Sequence, residues 1–136
     1  MTTYLLDTSV IIDLLNGKRR RHELLKGLLS QGDLLACCAI NIGEIYAGMR
    51  PKEEPGTEQF LRSLDYYETT WAVARKAGLL KRDYSKRGQT LTLPDTTIAA
   101  VAIEYDLMLI TDNIKHFPMP ELKLFPLMAS YAQHAK

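Results

Sequence analysis

Two short apolar runs, each ending in a turn that carries aspartate, constrain this chain most. Tyr4-Leu5-Leu6 runs into Asp7-Thr8-Ser9, and Leu107-Met108-Leu109-Ile110 runs into Thr111-Asp112-Asn113. Both runs read as buried strands, and helical patterns fill the sequence between them. Strands separated by helices are joined by crossovers and lie parallel, with helices covering both faces of the sheet. In open α/β sheets ligands gather in the crevice beyond the carboxyl ends of the strands. Asp7 and the 111–113 turn therefore point to one acidic pocket.

The remaining segments fit that frame. Ser9 to Leu15 predicts a helix stopped at Asn16-Gly17, and Lys18 to Ser30 a second, with Leu24, Leu25, Leu28 and Leu29 on one face. Leu34 to Cys37 reads as a strand, and Ile40, Ile42, Ile45 and Met49 mark a helix ended before Pro51. Pro51 to Gly56 reads as a turn, followed by a helix from Thr57 to Tyr66 and another from Trp71 to Arg87. Leu91-Thr92-Leu93-Pro94-Asp95 opens an alanine-rich apolar helix. A helical turn over Asn113 to Phe117 and a last strand at Leu122 to Phe125, between Pro120 and Pro126, complete the chain. The expectation is an α/β fold in three layers, with a central, mostly parallel sheet of four to five strands flanked by helices. A single domain is expected over residues 1–136.

With 136 residues and 46% hydrophobic content, one core is attainable without disulfides. The formal net charge of +1 favours neither a nucleic acid nor a membrane in bulk, so any nucleic-acid surface is local. Adjacent Cys37 and Cys38 and the three histidines match no zinc or disulfide spacing. Met1-Thr2-Thr3 lacks a basic leader, and no apolar run approaches the ~18 residues of a membrane span. A soluble, cytoplasmic protein is expected.

Each acid has two readings. Asp7 is a hard ligand for a divalent cation or the N-cap of the helix after it. Asp95, after Pro94, is a ligand or a first-turn acid favoured by the helix dipole. Glu44 lies in Asn41-Ile42-Gly43-Glu44-Ile45-Tyr46-Ala47-Gly48, where two small residues predict close packing; it either needs a partner or cation, or turns to solvent opposite Ile42, Ile45 and Met49. Convergence of Asp7, Glu44 and Asp95 decides for the ligand reading.

Four segments together resemble a known family. They are Asp7-Thr8-Ser9-Val10-Ile11-Ile12-Asp13, Gly43-Glu44-Ile45-Tyr46-Ala47-Gly48, Asp95-Thr96-Thr97-Ile98-Ala99-Ala100-Val101-Ala102, and Leu109-Ile110-Thr111-Asp112-Asn113-Ile114-Lys115-His116-Phe117. In this order they resemble a PIN domain, and within that family the VapC-type ribonuclease toxins of toxin–antitoxin pairs. The resemblance implies a metal-dependent endoribonuclease whose acids bind one or two Mg2+ or Mn2+ ions. It assigns Asp7, Glu44 and Asp95 as the first three acids. The family's fourth acid falls at Asn113, which supplies an oxygen but no charge, with Asp112 beside it as a substitute. Thr8, Ser9 and Thr111 are read as groups orienting the carboxylates, Asp13 as exposed, Phe117 as core and His116 as structural.

A phosphodiester is anionic, so cations must first invert the sign of an acidic pocket. Arg82, Lys86 and Arg87, with Lys81, and the run Lys18-Arg19-Arg20-Arg21-His22 are candidate phosphate contacts or plain solvated faces. The resemblance further implies an RNA substrate, a VapB-type antitoxin whose tail fills the groove, and a homodimer. The rival is a non-catalytic RNA-binding or assembly module with a degraded site. A receiver domain would need an acidic pair directly after the first strand, and a haloacid-dehalogenase-type phosphatase an acid at Ser9; neither is present.

Overall fold

The computed structural model describes residues 1–125 and 127. Its elements are β1 (Thr3–Leu6), α1 (Thr8–Leu15), α2 (Arg21–Ser30), β2 (Leu34–Cys38), α3 (Ala39–Gly48), α4 (Glu54–Arg62), β3 (Asp65–Tyr67), α5 (Trp71–Lys86), α6 (Leu93–Glu104), β4 (Met108–Ile110) and β5 (Lys123–Leu124). Single 3-10 turns cover Pro51–Glu53 and Ile114–His116. The five strands form one sheet in the order β3-β2-β1-β4-β5, every pairing parallel.

The order carries the functional geometry. From β1 the chain adds β2 and β3 on one side, then returns to add β4 and β5 on the other. The reversal leaves a crevice at the carboxyl ends of β1 and β4. Asp7 N–H donates to Ile110 O at 2.9 Å and pins the two strand ends together there.

Alternation along β1 supplies both layers. Leu5 joins a core with Val73 and Ala77 of α5 and Ile98, Val101 and Ala102 of α6. Tyr4 and Leu6 join a second core with Val10 and Ile11 of α1, Leu24, Leu25 and Leu28 of α2, and Leu61 of α4. The run from Thr96 to Ala102 is buried without interruption, because α6 lies between the sheet and α5 and its alanines allow close approach. Leu24, Leu25 and Leu28 are thus packed inside the chain, and only Leu29 of that face is exposed.

Two expectations are corrected. Residues 65 and 66, read as the end of a helix, belong to β3, because Leu61 and Leu64 continue the helical spacing up to a short edge strand paired only with β2. Pro55 and Gly56, read as a turn, lie in the first turn of α4, where proline's missing N–H has no intrahelical acceptor to lose. The last strand is shorter than read; Pro126, its expected boundary, lies outside the described residues. Among the described residues no helix is long and apolar enough to cross a membrane.

Candidate active site

Asp7 caps α1 and is 5% exposed, so the local fold sets its carboxylate at the floor of the crevice. Thr8 N–H donates to Oδ1 at 2.8 Å, and the Thr111 hydroxyl donates to Oδ2 at 2.6 Å. The Ser9 hydroxyl reaches Oδ2 only at 3.4 Å. Burial pushes the Asp7 carboxyl above its ordinary value; the Thr111 hydroxyl and Thr8 amide pull it back, while the Asp95 carboxylate pushes it further up. The Asn113 side chain faces Asp7 and also lowers its pKa, and Asn113 N–H donates to Thr111 Oγ1 at 2.9 Å.

Asp95 arrives through α6. The Thr92 hydroxyl caps that helix by accepting from Asp95 N–H at 3.2 Å, which fixes the first turn over the crevice. His116 Nδ1 lies 3.4 Å from Asp95 Oδ2. His116 therefore stands at the rim, against its reading as a structural residue, while Phe117 beside it is buried as core.

Glu44 satisfies both of its readings at once. It is exposed on α3, yet it lines the crevice and its Oε1 accepts the Thr8 hydroxyl at 2.7 Å. The close packing expected around it is absent: a Cβ added at Gly43 or Gly48 meets nothing within 4 Å. The order comes instead from Asn41, which is fully buried. Its Oδ1 accepts from Cys38 N–H at 2.8 Å, and its Nδ2 donates to Leu6 O at 3.1 Å and to Thr8 Oγ1 at 3.0 Å. Asn41 thereby joins the ends of β1 and β2 and turns the Thr8 hydroxyl proton toward Glu44. Sequence reading missed this residue; its signal was the spacing Cys38-x-x-Asn41, which forms a capping box.

Asp7, Thr8, Ser9, Ile12, Glu44, Thr92, Pro94, Asp95, Asn113 and His116 line one cleft of about 470 Å³. Asp112 is not among them. Its carboxylate turns behind the cleft into a buried ion pair with Arg21, so it is not placed to substitute for a fourth acid. Asp13, expected in solvent, is mostly covered and lies 3.7 Å from Arg19 Nε. On α5, Lys81 Nζ donates to Leu91 O at 2.6 Å, Arg82 pairs with Asp83 at 3.1 Å, and Arg87 stacks on Tyr84 at 4.7 Å, whereas Lys86 is exposed.

Among the described residues no three His, Cys, Asp or Glu side chains close on a single point as a metal cage. The donor set nonetheless fits magnesium, which is held by one or two carboxylates and keeps several waters. The fit rests on Asp7: a buried carboxyl facing a second carboxylate is relieved by a cation between them.

A parallel α/β sheet with an acidic cleft at its reversal point defines the class. The PIN domain family model matches residues 4–118. Ribonuclease VapC19 of Mycobacterium tuberculosis is 34% identical over 120 residues, covering 88% of this chain and 96% of that protein. Ribonuclease VapC2 of Haemophilus influenzae is 30% identical over 122 residues, covering 86% and 91%. A toxin–antitoxin complex from Klebsiella pneumoniae superposes with a TM-score of 0.73 at 28% identity, covering 88% of this chain and 94% of that one. VapBC2 from Rickettsia felis, bound to a promoter DNA fragment, superposes at 0.80 with 22% identity, covering 91% and 98%. The chain belongs to the PIN domain family, among its VapC ribonucleases.

Proposed function

We propose that this protein is an endoribonuclease, the toxin of a VapBC-type pair, and that it uses Mg2+ or Mn2+. The observation that carries the reading is the meeting of Asp7, Glu44, Asp95 and Asn113 in one cleft from four separate parts of the chain. The ribonuclease names of its relatives support the same substrate. Asp7 and Asp95 would hold the ion, with Glu44 and the Asn113 oxygen completing the polar wall. Such an ion supplies the positive charge that admits a phosphodiester and makes a water acidic enough to attack it.

The chain's own groups do the rest. Thr111 and the Thr8 amide fix both Asp7 oxygens, so the carboxylate is already oriented before RNA arrives. Glu44, in reach of solvent, would accept a proton at Oε2, since Oε1 already accepts the Thr8 hydroxyl. Exposed Lys86 at the end of α5 and Arg87 just after it would meet phosphates, and Arg82 less so because Asp83 partly neutralises it.

The partner in this reading is a VapB-type antitoxin. A groove lined by Ile12, Leu15, Ile45, Met49 and Thr57 opens beside the cleft and shares Ile12 and Glu44 with it, which suits an apolar tail ending in a basic group. A homodimer and a cytoplasmic location belong to the same proposal. RNA cleavage by wild type and Asp95→Asn, each with and without EDTA, tests the activity. Loss on chelation and on substitution is expected; cleavage that survives both rejects the metal-dependent acidic site, and wild type that binds RNA without cutting it favours the non-catalytic RNA-binding module.

A further inference from the structure

We propose that Arg21 is a positioning residue for the cleft, acting through Asp112 on the turn that holds Asp7 and leads to His116 beside Asp95; this rests on the ribonuclease reading above. Arg21 is 3% exposed and opens α2, and its Nη2 donates to Asp112 Oδ1. Its Nη1 donates to Arg19 O at 3.2 Å. Asp112 sits between Thr111, which hydrogen-bonds Asp7, and Asn113, whose N–H donates to Thr111 Oγ1, and four residues before His116, which faces Asp95. The pair therefore grips the turn from behind while Thr111 at its front touches Asp7, and the next turn carries His116 to Asp95.

The corner delivering Arg21 is built against three local preferences. Arg19 and Arg20 have φ of 55° and 58°, a left-handed conformation disfavoured for residues with a Cβ. Arg21 Nε is buried without a hydrogen-bond partner among the described residues, and so is Asp112 Oδ2, which lies 3.5 Å from Arg19 Nη1. A buried ion pair of this kind contributes little net stability, because desolvation offsets its attraction. Strain and unmet polarity persist where geometry is needed for function. What this geometry fixes is the register of residues 111–113. The planar fork of arginine does so in a way a single ammonium cannot.

The test compares wild type, Arg21→Lys and Arg21→Ala. Arg21→Lys keeps the charge opposite Asp112 and is expected to fold. Its kcat on RNA should fall about 10-fold or more with KM little changed, and Mn2+ affinity, titrated without RNA, should weaken about 10-fold. Arg21→Ala leaves a guanidinium-sized space, so millimolar guanidinium chloride should restore Mn2+ binding and cleavage while equal sodium chloride does not. Folded Arg21→Lys that keeps wild-type kcat and Mn2+ affinity, or folded Arg21→Ala indifferent to guanidinium, overturns the proposal. If wild type cuts no RNA, the ribonuclease reading fails on its own. The Asn113 side-chain amide resonances of the metal-free protein then decide: a shift in Arg21→Lys supports the clamp, and no shift overturns it.

Discussion

Thr111 and Asp7 stand 104 residues apart in the chain and 2.6 Å apart in space, joined by a hydrogen bond from the Thr111 hydroxyl to Asp7 Oδ2. Both atoms belong to residues withdrawn from water, Thr111 completely. A charge-assisted bond in such surroundings is worth about 1.5–3 kcal/mol. Thr111→Val should lower unfolding free energy by about that amount and cleavage by about 10- to 100-fold, whereas Thr111→Ser should keep most of both. Urea unfolding and initial cleavage rates measure the two effects.

Asp7 carries a pH signature. Its folded pKa is raised from 3.8 by burial, so the protonated form is bound more tightly in the folded state than in the unfolded chain. The contribution is fully present below 3.8 and is lost as pH rises through the folded value. The metal-free protein is therefore destabilised by the Asp7 charge at neutral pH. Asp7→Asn should abolish cleavage yet melt no lower than metal-free wild type at pH ~7, and this advantage should vanish in acid near the unfolded pKa. A lower melting temperature at neutral pH would contradict the sign.

Adding Mn2+ should reverse that order. An ion that binds only the folded state stabilises by mass action, about 2.7 kcal/mol at one hundred times its Kd. Wild type should gain this stabilisation and Asp7→Asn should not. Thermal melts across a Mn2+ series check it.

Asn41 makes three buried hydrogen bonds, and Asn41→Ala strands a backbone amide, a carbonyl and the Thr8 hydroxyl. A loss of about 3 kcal/mol is expected, with weaker cleavage as Glu44 loses its fixed neighbour. Chemical denaturation of the variant against wild type reads it.

On α5, Lys86→Ala should weaken RNA binding and lower the salt slope of binding by about 0.7, the value for one phosphate contact on a single strand. Arg82→Ala should do less, because Asp83 already pairs with Arg82. Equal slopes in wild type and Lys86→Ala would remove α5 from the RNA surface.

The sheet and its acids were legible because their signals are local. Leu5-Leu6-Asp7 and Leu109-Ile110-Thr111 each contain the strand, its end and the polar residue at that end. β3 was not legible, since Asp65-Tyr66-Tyr67 gains its strand state only from pairing with β2. Glu44 was read as a cleft ligand against the solvent-side position that periodicity alone favours, and it stands in the cleft while remaining exposed. Arg21 is one of four consecutive basic residues, and only the left-handed corner before it selects which one turns inward. Asp112 and Asn113 were separable only in three dimensions, where one faces Arg21 and the other Asp7.

The reversal in strand order has a consequence for synthesis. Asp7 and Glu44 leave the ribosome early, but the strand that flanks β1 on its other side, and the threonine that orients Asp7, are made near the end. An elongating chain that stops before β4 lacks the Thr111 bond to Asp7, with β1 open along one edge. The orientation of Asp7 therefore waits for β4 to join the sheet.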